Sequence, residues 1–337
     1  MSALARDLDQ ISAETTFSGV VRVDRGGEPE VVRAYGLADR AHAIPNTPDT
    51  QFAIASGTKG LTALVVMRLV EEGALRLETT ARSVLGSDLP LIDERATIEH
   101  LLAHRSGIGD YLDEELDLDF SDYVLPVPAQ HLATTEAYLD VLDGQPQKFP
   151  PGERFAYSNS GYVLLALIAE RVAGKPFHDL VHDHVCAPAG MADTAFLRSD
   201  DLPGRAAVGY LQVGEKWRTN VFHLPVCGSG DGGIYTTAAD VAAFWRALFA
   251  GAIVQEETLA EMLTERSAPD DDRGYGLGFW LPVGGRAVRL HGGDAGVRFA
   301  TVHEPDRLLT WTLLSNTDGA ARRVVARLEE ERTAARA

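Results

Sequence analysis

The chain has 337 residues, 45% of them hydrophobic, so it can bury a large core and its composition excludes a disordered protein. Its formal net charge of -18 argues against nucleic acid or an anionic membrane surface as a partner, because both would repel it. The only cysteines are Cys186 and Cys227, which excludes a disulfide framework and a cysteine-based zinc motif.

The N-terminus has neither the basic start nor the apolar run of a signal peptide, since Asp7, Asp9 and Glu14 come too early. The longest apolar stretch, residues 162–169, is far too short to span a bilayer. We therefore expect a cytoplasmic protein with no membrane partner. The sequence leaves the oligomeric state open.

Hydrophobic periodicity predicts strands near both ends of the chain and helices between them. An amphipathic helix around Leu4, Leu8 and Ile11 precedes two strands that form a hairpin over residues 17–35. From about residue 71 to 195 the pattern is mostly helical, and strands then return before an amphipathic closing helix. The helical segments are 98–104, 134–142, 162–172 and 177–185, and the late strands are 287–291, 298–303 and 308–314.

This order predicts an α+β fold, in which strands from both termini form one antiparallel sheet flanked by helices. We expect the sheet domain to comprise residues 1–75 and 200–337. Residues 76–199 would form an inserted, mostly helical domain.

The chain contains a single Ser-x-x-Lys, Ser56-Gly57-Thr58-Lys59, where an apolar stretch gives way to a helix predicted to end at Glu72. A spacing of three places Ser56 and Lys59 on one face. A hydroxyl becomes a nucleophile when a neighbour takes its proton, and a buried lysine with a lowered pKa can do so. The alternative is a helix N-cap followed by an exposed lysine, and the motif alone does not decide between them.

The chain's only Tyr-x-Asn, Tyr157-Ser158-Asn159, leads into the most apolar helix. A phenol beside a lysine ammonium is stabilised as phenolate and can act as a general base, while Asn159 can hold a substrate amide. The alternative is a tyrosine on an apolar face, with Ser158 or Asn159 as a helix cap.

His291, Gly292 and Gly293 end a predicted strand. Glycines there allow a substrate backbone to approach the strand edge closely. The next backbone N–H, that of Asp294, would pair with the N–H of Ser56 as an oxyanion hole. Taken alone, a His-Gly-Gly is typical of a turn.

In this order and at these separations, the three motifs resemble the pattern of serine β-lactamases and penicillin-binding proteins. The chain is similar to the branch that contains class C β-lactamases, DD-peptidases with a His-Thr-Gly strand, D-aminopeptidases and β-lactamase-fold esterases. Two further stretches, 100–107 and 232–240, also look like this family. The resemblance covers roughly residues 17 to 315.

The resemblance implies a serine hydrolase that forms a covalent acyl-enzyme with a small ester, an amide or a short peptide, and that needs no cofactor. Ser56 would be the acylated nucleophile. Lys59 would be its proton acceptor, or the cation that keeps Tyr157 deprotonated. Tyr157 would carry the proton to the leaving group and later activate water.

The same resemblance assigns binding roles. Asn159 would position Lys59 and the substrate amide, and His291 would replace the usual lysine of the third motif. Gly292 and Gly293 would border the substrate, and the Ser56 and Asp294 amides would form the oxyanion hole.

The histidine in the third motif affects substrate choice, because His291 is mostly neutral at pH 7 and should bind a carboxylate weakly. Arg289 or Arg298 could compensate, although a surface charge is the simpler interpretation of each. The acidic segment 110–122, if it borders the cleft, would instead favour a substrate with a free amine.

Other classes of protein fit less well. His100 with His104, and His178 with His182, have the spacing of metal ligands, but carboxylate partners at a definite spacing are missing, so we expect solvated histidines and no metal. No serine lies in a Gly-x-Ser-x-Gly, which excludes an α/β-hydrolase. A binding or sensor protein on the same fold, acylated once or deacylated very slowly, remains the alternative.

Overall fold

The structure of the chain, a computed structural model, describes residues 2–116, 123–270, 272–282 and 286–334. Its helices are longest at the N-terminus, at the predicted nucleophile, in the middle and at the C-terminus. They are α1 Ala3–Glu14, α2 Thr58–Glu71, α3 Ala81–Leu85, α4 Ile98–Leu102, α5 Leu139–Leu142, α6 Asn159–Ala173, α7 Phe177–Val181, α8 Ala187–Ala189, α9 Ala238–Phe249, α10 Glu256–Met262 and α11 Ala321–Ala334.

The strands are β1 Gly19–Arg25, β2 Glu28–Tyr35, β3 Leu37–Asp39, β4 Ile44–Pro45, β5 Phe52–Ala53, β6 Tyr210–Val213, β7 Lys216–Thr219, β8 Tyr235–Thr236, β9 Ser267–Asp270, β10 Arg273–Tyr275, β11 Trp280–Pro282, β12 Val288–Asp294, β13 Val297–Glu304 and β14 Leu309–Ser315. Eight of these strands form one antiparallel sheet in the order β2-β1-β14-β13-β12-β11-β10-β9, and the others form three two-stranded ribbons.

The sheet separates two hydrophobic cores. The larger core contains α2 and α6, and residues 162–169 of α6 are fully buried, as their unbroken apolar run predicts. The smaller core lies on the opposite face, where α1 and α11 cover strands β1 and β14 through Leu8, Trp311 and Leu328. Helix α2 is therefore held between α6 and the sheet, which fixes the start of α2 beside strand β12.

The predicted α+β class and the antiparallel sheet built from both ends of the chain are confirmed. The short strands β9, β10 and β11 were not predicted, because each has only three or four residues and too little alternation to stand out. The predicted helix over 98–104 ends at Leu102, since His104 adopts a φ of 56°. All strands of the large sheet lie outside residues 76–199, but the division into two domains stays a prediction.

None of the helices among the described residues has both the length and the apolar character that crossing a membrane requires.

Candidate active site

The candidate nucleophile lies in a tight turn in front of helix α2. Strand β5 ends at Ala53, and a 3₁₀ turn over Ala55–Gly57 then leads into the helix. Ala55 has a φ of 44°, a left-handed conformation that costs energy for a residue with a Cβ. The turn places Ser56 on the wall of a cleft, where its side chain is partly exposed.

Lys59 lies one helical turn beyond Ser56, and its side chain is buried with 2% exposure. Its Nζ donates hydrogen bonds to Ser56 Oγ at 2.9 Å, to Asn159 Oδ1 at 2.8 Å and to the backbone oxygen of Asp231 at 2.8 Å. Burial lowers the pKa of Lys59, although nearby carboxylates, led by that of Asp231, oppose this effect. All three ammonium hydrogens have acceptors, so the amine is fixed against the serine oxygen.

Tyr157 lies on the other side of the same serine. Its hydroxyl is hydrogen-bonded to Ser56, and the Lys59 ammonium lies 4.9 Å from the centre of its ring. Burial raises the pKa of Tyr157 well above its usual range, and the Glu114 carboxylate adds to the increase. The raised pKa opposes a phenolate and favours a protonated Tyr157.

Asn159 connects the second motif to the first. It is the first residue of α6, and Ser158 caps the helix by accepting a hydrogen bond from the Gly161 N–H at 3.0 Å. While Asn159 Oδ1 accepts from Lys59, its Nδ2 donates to Leu112 O at 2.9 Å and to Glu114 Oε1 at 3.1 Å. The side-chain amide of Asn159 therefore bridges Lys59 and the segment that carries Glu114, and both its oxygen and its nitrogen have partners.

The third motif lies on β12 beside the nucleophile turn. Gly292 is so close to that turn that a Cβ added to it would lie 2.1 Å from the backbone oxygen of Ile54 and 2.8 Å from the Ser56 nitrogen. Strand β12 pairs with β13 along its whole length, but with β11 only through Arg289 and Trp280. The edge of residues 290–294 that faces away from β13 therefore has no paired strand among the described residues.

His291 packs within an aromatic stack. Its ring stacks on Trp280 at 4.9 Å between centres, and Trp280 stacks in turn on Tyr157 at 6.2 Å. Burial lowers the pKa of His291 to about 4, with help from Arg289 and Arg273, so the ring is neutral at pH 7. His291 thus supports the tyrosine through an aromatic stack and supplies no cation.

Both arginines that could compensate for this neutrality have carboxylate partners. Arg289 is paired with Glu329 at 2.8 Å, and Arg298 is paired with Asp318 at 3.3 Å. No lysine or arginine is among the described residues that line the cleft, whereas Glu114, Asp231 and Asp294 all do. Burial and the neighbouring Asp231 and Glu114 charges raise the pKa of Asp294 to about 7.

The described acidic residues of the segment 110–122 have different surroundings and partners. Asp110 is buried and caps α6, since its carboxylate accepts from the Asn159 N–H at 2.7 Å and the Ser160 N–H at 3.0 Å. Asp113 and Glu115 are paired with Lys148, and Glu114 alone among these residues borders the cleft. Asp117, Asp119 and Asp122 lie outside the described residues.

Sequence reasoning missed several residues that support the site. Asp231 accepts a hydrogen bond from the Tyr111 hydroxyl at 2.5 Å, and its backbone oxygen holds Lys59. Trp280 stacks on Tyr157 at 6.2 Å between ring centres, and His104 packs against Tyr157 at 4.3 Å. Asp231 lies in the glycine-rich run 228–233, which is the only signal that could have marked it, because these contacts join distant segments.

The expectation of solvated histidines is wrong for His104 and His178. His104 is buried, and its Nδ1 accepts a hydrogen bond from the Ser158 N–H at 3.0 Å. His178 stacks on Phe196 and is hydrogen-bonded to Gly228 O at 2.9 Å. Among the residues that the structure describes, no group of three or more histidine, cysteine or acidic side chains could hold a metal ion.

This fold, with a serine and lysine at the start of α2 and a Tyr-x-Asn at the start of α6, defines a protein of the β-lactamase and penicillin-binding class. The chain belongs to the β-lactamase family, since the family model of that description matches residues 4–335. The resemblance found in the sequence is confirmed.

Similar proteins include both penicillin-binding proteins and an esterase. The chain is 29% identical to PbpX of Bacillus subtilis (strain 168) over 275 residues, which cover 80% of this chain and 64% of PbpX. It therefore spans less than two thirds of that relative. It is 32% identical to esterase EstB of Burkholderia gladioli over 311 residues, which cover 80% of this chain and 76% of EstB.

A solved structure has nearly the same fold over its whole length. The penicillin-binding protein from Bacillus halodurans superimposes with a TM-score of 0.89 at 36% identity, and the match covers 96% of this chain and 99% of that one. The family and its esterase members support a serine hydrolase as the general class of this protein.

Proposed function

We propose that this protein hydrolyses small esters or amides through a covalent acyl-enzyme on Ser56. The observation that carries the proposal is the set of three hydrogen bonds from Lys59, to Ser56, Asn159 and Asp231. They fix an amine against the serine oxygen at 2.9 Å, within reach of direct proton transfer.

In acylation Lys59 acts as the neutral amine. It keeps its hydrogen bonds to Asn159 Oδ1 and Asp231 O, and its lone pair accepts the Ser56 hydroxyl. Burial lowers the pKa of Lys59, which makes this neutral form accessible, and raises that of Tyr157, which keeps the phenol protonated. Ser56 Oγ attacks the carbonyl carbon as its proton passes to Lys59 Nζ. The proton then moves through the Tyr157 hydroxyl to the leaving oxygen or nitrogen, as the bond between that atom and the carbonyl carbon breaks. The products of this step are the Ser56 ester and the free alcohol or amine.

The negative charge of the tetrahedral intermediate would lie between Ser56 and the unpaired edge of β12. The Ser56 and Asp294 N–H groups are the proposed donors, with Gly292 and Gly293 allowing the close approach. For deacylation, water takes the place of the leaving group. Tyr157 and Lys59 accept its proton and return it to Ser56 Oγ as the acid is released.

The charges around the cleft make a carboxylate-bearing β-lactam a poor substrate. Three carboxylates line the cleft, no described lysine or arginine does, and His291 is neutral. Repulsion therefore opposes an anionic substrate, and it favours a neutral or cationic one.

An amide with a free amine is a second candidate substrate, because the exposed Glu114 carboxylate borders the cleft beside Asn159. An alanine anilide and its des-amino analogue, a propionyl anilide, would test this. If Glu114 binds the ammonium, Glu114→Gln lowers kcat/KM for the alanine anilide by about tenfold and leaves the propionyl anilide nearly unaffected. Equal losses for both would exclude the ammonium contact.

Intact mass spectrometry tests the acyl-enzyme directly. The protein is mixed with a fluorophosphonate, a penicillin and p-nitrophenyl acetate, alongside Ser56→Ala and, as a matched control, Ser83→Ala, which replaces an exposed serine. We expect a fluorophosphonate adduct and ester turnover that Ser56→Ala removes and Ser83→Ala keeps. Turnover that persists in Ser56→Ala would refute the mechanism.

The same experiment separates an enzyme from a sensor. An acyl adduct that disappears as product accumulates marks a hydrolase. A stoichiometric adduct that persists for hours with no further product would favour a binding or sensor protein that deacylates very slowly.

A further inference from the structure

Part of the cleft lining is apolar. It comes from separate parts of the chain: residues 112 and 125, residue 197 and residues 224–226. Its apolar members are Leu112, Leu125, Leu197, Leu224, Pro225 and Val226, and all of them line the same cleft as Ser56. This set is termed the leucine wall below.

The leucine wall is held together by hydrogen bonds, so it is preformed. Two are between backbone groups: the Ser199 N–H donates to Val226 O at 2.8 Å, and the Val226 N–H donates to Ala129 O at 3.1 Å. Two residues before Leu125, the Tyr123 side-chain hydroxyl donates to Tyr111 O at 2.7 Å. A preformed apolar wall binds an apolar group without first paying the entropy of ordering its own loops.

The chain segment that supplies Leu224 also carries an exposed aromatic residue. Phe222 is 84% exposed, the highest value among the large hydrophobic residues that the structure describes, and it precedes the cleft-lining His223 in the chain. Such an exposed aromatic side chain next to a ligand cleft points to contact with an apolar group.

We propose that the leucine wall is an acyl-chain site, which selects substrates whose acyl group is a medium-length, uncharged hydrocarbon chain. The inference rests on the proposed acyl-enzyme at Ser56. The carbonyl carbon lies at Ser56, the chain extends along the wall, and the three carboxylates exclude chains that end in an acid.

The test is a series of p-nitrophenyl esters from acetate through butyrate and hexanoate to octanoate, each used below its aggregation threshold. Burying one methylene corresponds to about a fourfold gain in kcat/KM, so kcat/KM should rise at least tenfold from acetate to hexanoate. Leu224→Asn and Leu197→Asn, on separate segments of the wall, should each reduce the hexanoate-to-acetate ratio by about fivefold or more. Leu308→Asn, which replaces a leucine that is 56% exposed and lies outside the wall, should keep the wild-type ratio.

The wild-type series decides the proposal even if a wall variant fails to fold. A flat or falling series in an enzyme that forms a Ser56 adduct would overturn the acyl-chain site and leave the proposed function intact. So would a ratio that Leu224→Asn and Leu197→Asn both leave unchanged. Absence of any Ser56 adduct would instead overturn the proposed function itself.

Discussion

Tyr157 is packed against two other aromatic rings. Trp280 stacks on it with an angle of 20° between the ring planes, and the His104 ring lies at 4.3 Å between centres. His104 in turn contacts the rings of Tyr162 and Tyr275, at 4.9 Å and 4.8 Å. A phenol that relays a proton between Ser56 and a leaving group must keep its position to within a fraction of an ångström. His104 is therefore a positioning residue for Tyr157.

Replacing His104 by asparagine should test this role. Asparagine tolerates the φ of 56° at this position, and its Oδ1 can accept the Ser158 N–H, but the ring contacts are lost. We expect kcat to fall by about 10- to 100-fold with little change in KM, because the substrate-binding walls are untouched. His182→Asn, at a side chain that is 67% exposed, is the matched control and should behave as wild type. A His104→Asn variant with wild-type kcat would show that the ring packing is not needed for catalysis.

Asp294 gives the cleft a charge that changes near neutral pH. Burial and the Asp231 and Glu114 carboxylates raise the pKa of Asp294 to about 7, so it is mostly protonated at pH 6 and mostly ionised at pH 8. The attraction of the cleft for a cation should therefore increase with pH across this window. An ester with a trimethylammonium group, whose charge does not titrate, can be compared with its neutral tert-butyl isostere.

We expect the ratio of kcat/KM for the cationic ester to that for the neutral ester to rise by about three- to tenfold from pH 6 to pH 8. Taking the ratio removes the pH dependence of the catalytic groups, because both esters share it. Asp294→Asn should flatten the profile while keeping the backbone N–H at that position. A wild-type ratio that stays constant over the window would contradict the assignment.

At the scale of the elements, the site depends on the close contact between strand β12 and the turn before helix α2. A Cβ at Gly292 would meet backbone atoms of Ile54 and Ser56, which cannot move aside as a side chain could. A Cβ added to Gly57 would instead meet a side chain, the ring of Phe299 on β13, at 2.4 Å. The absence of side chains at these glycines lets the sheet edge lie against the nucleophile turn.

Gly292→Ala should separate β12 from the turn and disturb the site. We expect kcat/KM for p-nitrophenyl acetate to fall by about 100-fold, since a displacement of about 1 Å is enough for a loss of that size. Gly204→Ala is the matched control, because no atom lies within 4 Å of its added Cβ, and it should leave kcat/KM unchanged. If the two variants had equal activity, the close contact would not matter for the reaction.

The sequence predicted the parts of the site that are local and missed those that only the fold brings together. The contact between Lys59 and Ser56, and the cap that Ser158 forms on α6, each join residues three apart in the chain. Such short spacings can be read directly from a sequence. The contacts of Asp231 with Lys59 and Tyr111 span 172 and 120 residues, and no local pattern encodes them. The same limit explains why the burial of His104 was missed, because its aromatic neighbours come from two distant stretches of the chain, residues 155–162 and Tyr275.

At the scale of the whole molecule, the sheet separates the larger hydrophobic core, termed the inner core, from the smaller one, termed the outer core. The inner core includes α2 and α6, which carry Lys59 and Asn159. The outer core joins the two ends of the chain, since Leu4 and Leu8 of α1 pack with Val324 and Leu328 of α11. Stability and activity should therefore respond separately to changes in the outer core.

Leu328→Ala tests this separation. Leu328 is 1% exposed, so truncating it leaves a cavity in the outer core, and the free energy of unfolding should fall by about 2–5 kcal/mol. The kcat at 25 °C should stay at the wild-type value, because the sheet lies between this core and Ser56. Urea unfolding and p-nitrophenyl acetate turnover measure the two effects on one preparation, with the exposed Arg322→Ala on the same helix as control. A loss of kcat in folded Leu328→Ala would mean that the outer core is coupled to the site through the sheet.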